Sequence, residues 1–132
     1  MTRWSMVLCS AVVWLSACGS PLGDAELKTD EAEYAPGSEL TLSLHNESFE
    51  KLGYNLCGVS LQRSTEAGWE TLPAERQEVC QSILLSLGPG EAESVSLTLA
   101  GTLPEGEYRF LTRVEWDGER EELASPPFRV VR

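Results

Sequence analysis

An all-β, antiparallel sandwich of seven to eight short strands is the fold that this sequence predicts. Three observations predict it. Apolar and polar residues alternate cleanly through residues 39–45, again through Val95, Leu97 and Leu99, and along 107–116 with Thr112 within the apolar series, which is the period of a half-buried strand. Turn signals rich in Pro and Gly recur at spacings of about 8–12 residues, the rhythm of a sandwich. No segment carries a long stripe at helical period, and no tandem repeat or low-complexity tract appears.

The chain opens differently. Arg3 is followed by the apolar run Trp4-Ser-Met-Val-Leu-Cys-Ser-Ala-Val-Val-Trp-Leu15, and the run closes on Leu15-Ser16-Ala17-Cys18. A positive start, an apolar middle and small residues at the end form the pattern of a secretory signal. The run falls short of the roughly 20 apolar residues that a spanning helix needs. The closing quartet resembles the lipobox of bacterial lipoprotein signal peptides. That resemblance implies a signal peptide over residues 1–17, cleavage before Cys18 and lipidation of the Cys18 thiol. Two or more acyl chains give stable anchoring where one does not. The expected location is the bacterial cell envelope. Gly19 rather than Asp follows the cysteine, which in a Gram-negative host resembles the outer-membrane sorting class.

The full chain has a formal net charge of −11, from 10 basic and 21 acidic residues. Only Arg3 leaves with the signal, so the mature chain is more acidic still. Such a surface repels phosphate backbones, and no Lys/Arg cluster exists to track them. Nucleic acid is therefore not an expected partner. The expected partners are the membrane, through the lipid, and another envelope protein.

Four cysteines occur. With Cys9 in the signal and Cys18 assigned to lipid, Cys57 and Cys80 remain in an oxidising compartment. A disulfide is the economical reading, and it would stabilise by roughly 3 kcal/mol in the chain-entropy model. The alternative is a metal or redox pair. The spacing is no CxxC, and His45 is the only histidine, so a zinc site lacks ligands.

Residues 18–24 form the lipidated cysteine and a short tether. The six residues after Cys18 reach at most about 20 Å when extended, which keeps the domain of residues 25–132 close to the membrane. A weak, acid-rich first strand is expected at 27–34, ended by the turn Ala35-Pro36-Gly37. The second, at 39–45, puts Leu40, Leu42 and Leu44 on one face. The third, at 54–62, sets Leu56, Gly58 and Ser60 against Cys57, Val59 and Leu61. Trp69-Glu70-Thr71-Leu72 returns after Glu66-Ala67-Gly68, and residues 73–80 are expected to be irregular or a short helical turn. An apolar strand at 82–87 stops at Gly88-Pro89-Gly90. The strand at 93–99 follows. The strand at 107–116 then aligns Tyr108, Phe110, Thr112, Val114 and Trp116 on one face. Asp117-Gly118 signals a hairpin into a last strand at 119–131, interrupted by Pro126-Pro127.

Several pieces in order carry a resemblance. They are Tyr34-Ala35-Pro36-Gly37 before Leu40-Thr41-Leu42, Asn46 in the next loop, Gly53-Tyr54-Asn55-Leu56-Cys57 and Gly68-Trp69. Cys80, Leu87-Gly88-Pro89-Gly90 and Leu103-Pro104-Glu105-Gly106-Glu107-Tyr108-Arg109 complete the set. Together they resemble the single-domain bacterial immunoglobulin-like proteins of exported lipoproteins. The resemblance implies an immunoglobulin-like sandwich. Gly106-Glu107-Tyr108 is similar to a tyrosine corner, in which the phenol bonds back to upstream backbone; the alternative is that Tyr108 is one more core aromatic. Antibody domains carry a cysteine two residues after that tyrosine, where this chain has Phe110. A Cys57–Cys80 bridge would instead staple a long connection.

Enzymatic activity is not expected. His45 has no nucleophile placed beside it by any motif, and no phosphate loop or nucleophile elbow is present. The acidic hairpin Glu115 to Glu122 lacks the spacing of a calcium loop. No cofactor, metal or catalytic residue is expected. Trp69, after a turn and inside the Cys57–Cys80 span, is the candidate partner-binding residue, although such a Trp more often covers a sandwich edge. The expectation is a non-enzymatic, lipid-anchored envelope protein with an interaction or structural domain. The alternatives are a proteinase inhibitor using residues 72–79, or a carbohydrate-binding module using Trp69.

Overall fold

The computed structural model describes residues 24–73 and 83–132. Cys18, Cys80 and most of the 73–80 segment lie outside the described residues. Eleven strands are present among the described residues: β1 Ala25–Thr29, β2 Glu33–Tyr34, β3 Glu39–Asn46, β4 Leu52–Tyr54, β5 Ser60–Thr65, β6 Gly68–Thr71, β7 Leu85–Leu87, β8 Ala92–Thr98, β9 Gly106–Trp116, β10 Glu119–Ala124 and β11 Phe128–Val130. They form an all-β sandwich. The smaller sheet has the order β1-β3-β8. The larger is built on β9, with β4 and β5 along one flank and β10 and β11 along the other. Beyond these, β6 pairs with β5, β7 with β4, and β2 runs parallel to β11.

The count exceeds the expected seven to eight because three expected strands are each broken in two. Residues 27–34 are not one strand: β1 lies in the smaller sheet and β2 in the larger. At the break the Asp30 carboxylate accepts the Thr41 N–H (3.0 Å) and the Tyr34 hydroxyl (2.6 Å). Residues 54–62 are also broken. Leu56–Gly58 form a 3-10 turn, capped by the Asn55 side chain, which accepts the Cys57 N–H. The alternation expected there does not exist, and Leu56 is buried while Cys57 is exposed. The third break is at Pro126-Pro127, which have no N–H to give a ladder. Before them the Ser125 hydroxyl accepts the Phe110 N–H (2.9 Å). One extra residue on this side then bulges out before Phe128 pairs with Tyr108.

The core follows the alternation of β3 and β9. Leu40, Leu42 and Leu44 of β3 and Tyr108, Phe110, Val114 and Trp116 of β9 are buried between the sheets. Phe128 lies at the centre of the aromatic group, edge-on to Tyr34 (5.5 Å) and stacked with Phe110 (5.4 Å) and Tyr108 (6.2 Å). The strand expected at 82–87 shortens to β7, and Ile83, Leu84 and Leu85 are about half exposed. At the β9–β10 hairpin, Asp117 (φ 44°) and Gly118 (φ 83°) both take left-handed backbone. That is the two-residue turn whose twist matches the flanking strands.

At one end of the sandwich a buried asparagine organises a loop. Asn46 has 0 % exposure. Its Nδ2 donates to the carbonyls of Glu50 (2.8 Å) and Leu87 (2.9 Å). Its Oδ1 accepts from the Ser48 N–H (3.0 Å) and hydroxyl (2.7 Å). A buried amide with all these bonds fixes the backbone around it.

Candidate functional site

Because β9 turns even-numbered side chains inward, Arg109, Leu111, Arg113 and Glu115 line the outer face of the larger sheet. Register then decides which residues meet. Gln62 of β5 pairs with Arg109 on one side and with Thr71 of β6 on the other. A cross-strand relay results. Arg109 Nε donates to Gln62 Oε1 (2.8 Å), and Gln62 Nε2 donates to Thr71 Oγ1 (3.1 Å). The Arg109 guanidinium lies 4.4 Å from the Trp69 ring centroid, a cation–π distance. Trp69 is thus half-buried and engaged on one ring face, and Gln62 is buried beneath the pair. Leu72 shares that partial burial, whereas Thr71 is exposed.

Beside this relay the face dips into a shallow concavity of about 450 Å³, lined by Ser60, Leu111, Arg113, Glu115, Arg120 and Glu122 among others. Its charges are two arginines and two glutamates. Arg113 is the register partner of Glu122 and Glu115 that of Arg120, and Arg120 Nε stands 4.0 Å from Glu115 Oε2. In a strongly acidic chain this is a balanced patch. It offers paired donors and acceptors to a polar partner, and no general base aligned with a nucleophile. The acidic hairpin expected at 115–122 therefore folds as a cross-strand charge ladder on this patch.

The other singled-out residues lie apart. The Tyr108 hydroxyl donates to the Pro104 carbonyl (2.7 Å), four residues upstream, and burial pushes its pKa up. Cys57 sits on the exposed 3-10 turn and is not a free thiol. His45 is on the opposite, smaller sheet, with Nδ1 at 3.6 Å from Glu47 Oε1. Among the described residues no cluster of three or more His, Cys, Asp or Glu side chains could hold a metal.

Two titrations are shaped by contacts elsewhere. The Tyr34 hydroxyl and the Thr41 N–H hold the Asp30 carboxyl below its ordinary 3.8. Burial, with Glu93 beside it, raises Tyr54.

From the sequence Trp69 stands out, with Thr71 and Leu72 expected to share its burial; Thr71 is instead exposed, and Arg109 and Gln62 are not singled out. Their meeting depends on strand register between segments 47 residues apart, which no local motif encodes.

Among solved structures, the chain is similar to the Northeast Structural Genomics Consortium target SoR45, with a TM-score of 0.49 at 13% identity, covering 83% of this chain and 84% of that one. It is similar to a PapD-like domain of human CEP192, with a TM-score of 0.43 at 17% identity, covering 85% and 88%. It is also similar to the sporulation control protein Spo0M of Bacillus subtilis, with a TM-score of 0.44 at 14% identity, covering 84% of this chain and 49% of that one. No curated protein sequence matches it. The bacterial Ig-like domain family matches residues 22–126, and this chain belongs to that family.

Proposed function

We propose that this chain is a non-enzymatic, lipid-anchored envelope protein whose Ig-like domain serves as an interaction module. The observation that carries the reading is Leu15-Ser16-Ala17-Cys18 at the end of an apolar run, a short tether ahead of the Ig-like domain. Lipid on Cys18 would hold the domain at a bilayer. The outer face of the larger sheet, with its charge-balanced concavity and Trp69, would meet a neighbouring envelope protein. In this reading Tyr108 is the tyrosine corner that pins the β8-to-β9 crossover. A Cys57–Cys80 bridge ties the exposed turn to the connection before β7.

The Arg109 guanidinium over one face of Trp69 holds the ring in a fixed orientation. That suits a Trp that anchors a protein contact.

Intact-mass analysis of the mature protein tests the anchor: diacylglyceryl mass on Cys18 is expected, and an unmodified Cys18 removes this reading. Crosslinked membranes test the module. One specific crosslinked partner is expected with the wild type and with Val95→Ala, and it should be lost with Trp69→Ala while that variant still unfolds cooperatively. Equal recovery with all three places the contact elsewhere. Non-reducing peptide mapping should recover Cys57 and Cys80 in one linked species.

A further inference from the structure

Phe49 is the most exposed large apolar side chain among the described residues, at 88 %. A flexible loop would let such a ring fold back on the domain. This loop is held on both sides. Ser48, before it, is buried and bonded to Asn46, and the Ser48 hydroxyl also accepts the Glu50 N–H (3.1 Å) beyond it. The ring is therefore presented outward by fixed backbone.

Its place in the sandwich matters as much as its exposure. The described chain begins at Asp24, and the Asp24 carbonyl accepts the Glu47 N–H (3.1 Å). Ala25 pairs with Asn46 at the same end. Phe49 follows two residues after Glu47, a span of at most about 7 Å. The ring thus stands at the end of the domain where the tether joins. A tether from Cys18 reaches at most about 20 Å. An anchor of that length makes a second contact effectively intramolecular, at an effective concentration on the order of millimolar. At that concentration a contact needs far less affinity of its own, and Phe serves interfacial segments as an apolar anchor at the headgroup and acyl boundary.

We propose that Phe49 is a membrane-contact residue: it inserts at the lipid surface that holds the Cys18 anchor and sets the domain upright on it. This rests on the lipid-anchor reading above. Upright placement would turn the β5–β6 turn away from the bilayer, because Arg63 pairs with Tyr108 near the start of β9, while Gly53, just past the Phe49 loop, pairs with Glu115 near its end. Asp24, Glu47 and Glu50 flank the ring, with Lys51 as a single cation. The fitting surface is therefore zwitterionic lipid, and an anionic one repels it.

The test places a tryptophan at Phe49 (Phe49→Trp) and, separately, at the distal turn (Ala67→Trp). Each protein is put on phosphatidylcholine vesicles containing lipids brominated near the headgroup, and the wild-type fluorescence from Trp69 and Trp116 is subtracted. Two attachments are compared: the natively acylated protein, and mature Cys18→Ser protein held by an N-terminal histidine tag on nickel-chelating lipid. The expected result is a blue-shifted, bromine-quenched signal at position 49, an unquenched signal at 67, and loss of quenching at 49 when phosphatidylglycerol replaces phosphatidylcholine at low salt. An unquenched signal at 49, or equal quenching at both positions, overturns the proposal. Quenching at 49 that persists on phosphatidylglycerol overturns it too. Intact mass separates the two ideas. If Cys18 carries acyl chains, the acylated protein decides. If it carries none, the anchor reading falls by itself and the tagged protein decides the role of Phe49.

Discussion

Leu42 and Val95 face each other across one rung of the smaller sheet, and both come from segments of clean apolar alternation. Leu42 has 0 % exposure, whereas Val95 is only partly buried. The difference is position in the sheet. β3 is flanked by β1 and β8, while β8 has β3 as its one strand partner among the described residues. A central strand is shielded from both sides and from the facing sheet, and an edge strand is shielded from one side. Alternation thus reports which face is apolar, and strand order decides how much of that face is removed from water.

Truncating the two partners breaks the comparison most directly. Leu42→Ala should destabilise by about 3–5 kcal/mol, the transfer loss plus a cavity that rigid neighbours do not fill. Val95→Ala should cost under about 1 kcal/mol, because its side chain is already partly hydrated. Denaturant unfolding of both variants decides the matter, and equal losses would mean that β8 is shielded from water as fully as β3. The double variant should be non-additive, since the two side chains share a rung.

The end of β3 supplies a second contrast. Asn46 continues the strand's inward series as a polar residue, where β8 continues its own with Leu99, a buried apolar one. Asn46→Ala would leave the Ser48 N–H and the Leu87 carbonyl without their partner inside the protein. The expected cost is about 2 kcal/mol. It should come with faster amide exchange at Ser48 and Glu50, because the loop loses its tie. Unchanged exchange there would also remove the rigid presentation of Phe49.

Much of this was legible in the sequence. The inward series Tyr108, Phe110, Val114 and Trp116 follows from period-two spacing, which carries the polar Thr112 inward with it, and the Asp117-Gly118 hairpin follows from turn chemistry. The break at Pro126-Pro127 was legible as well, whereas those at Asp30 and Asn55 were not, and all three share a feature. At each, a short polar side chain accepts a backbone N–H: Asp30 from Thr41, Asn55 from Cys57 and Ser125 from Phe110. Such residues compete with ladder bonding wherever they occur, but two of the three donors are far away in sequence. The candidate site divides in the same way. Trp69 stands out as a residue type after a turn, while the arginine that orients it is supplied by the register of β5 on β9.

Tyr108→Phe sharpens the contrast between anchored and edge positions by removing only one hydroxyl. The ring would keep its stacking on Phe128, and the Pro104 carbonyl would lose its bond of 2.7 Å. A loss of about 1 kcal/mol is expected, read by thermal or denaturant unfolding. No loss would make Tyr108 a core aromatic whose hydroxyl is incidental.

The smallest effect concerns the acid side of β3, where Asp30 ties the β1–β2 break to Thr41. The Tyr34 hydroxyl is the main influence holding Asp30 below its ordinary 3.8, and the Thr41 N–H is the next. A carboxyl depressed in the folded state adds stability above its unfolded pKa and loses it as pH falls through the folded value. Tyr34→Phe removes the larger influence and leaves the Thr41 bond, so Asp30 should titrate closer to its ordinary value. The stability gap between wild type and Tyr34→Phe should then be widest above about pH 4 and narrow as the pH falls below it. Carbon-detected NMR titration of the Asp30 carboxyl, beside unfolding at a series of pH values, measures both halves of that statement. A gap that stays constant through the acid range would mean that the Tyr34 hydroxyl acts through the Glu31 N–H that it accepts (2.8 Å) and not through Asp30. The tie between the break and β3 would then rest on the Thr41 bond alone.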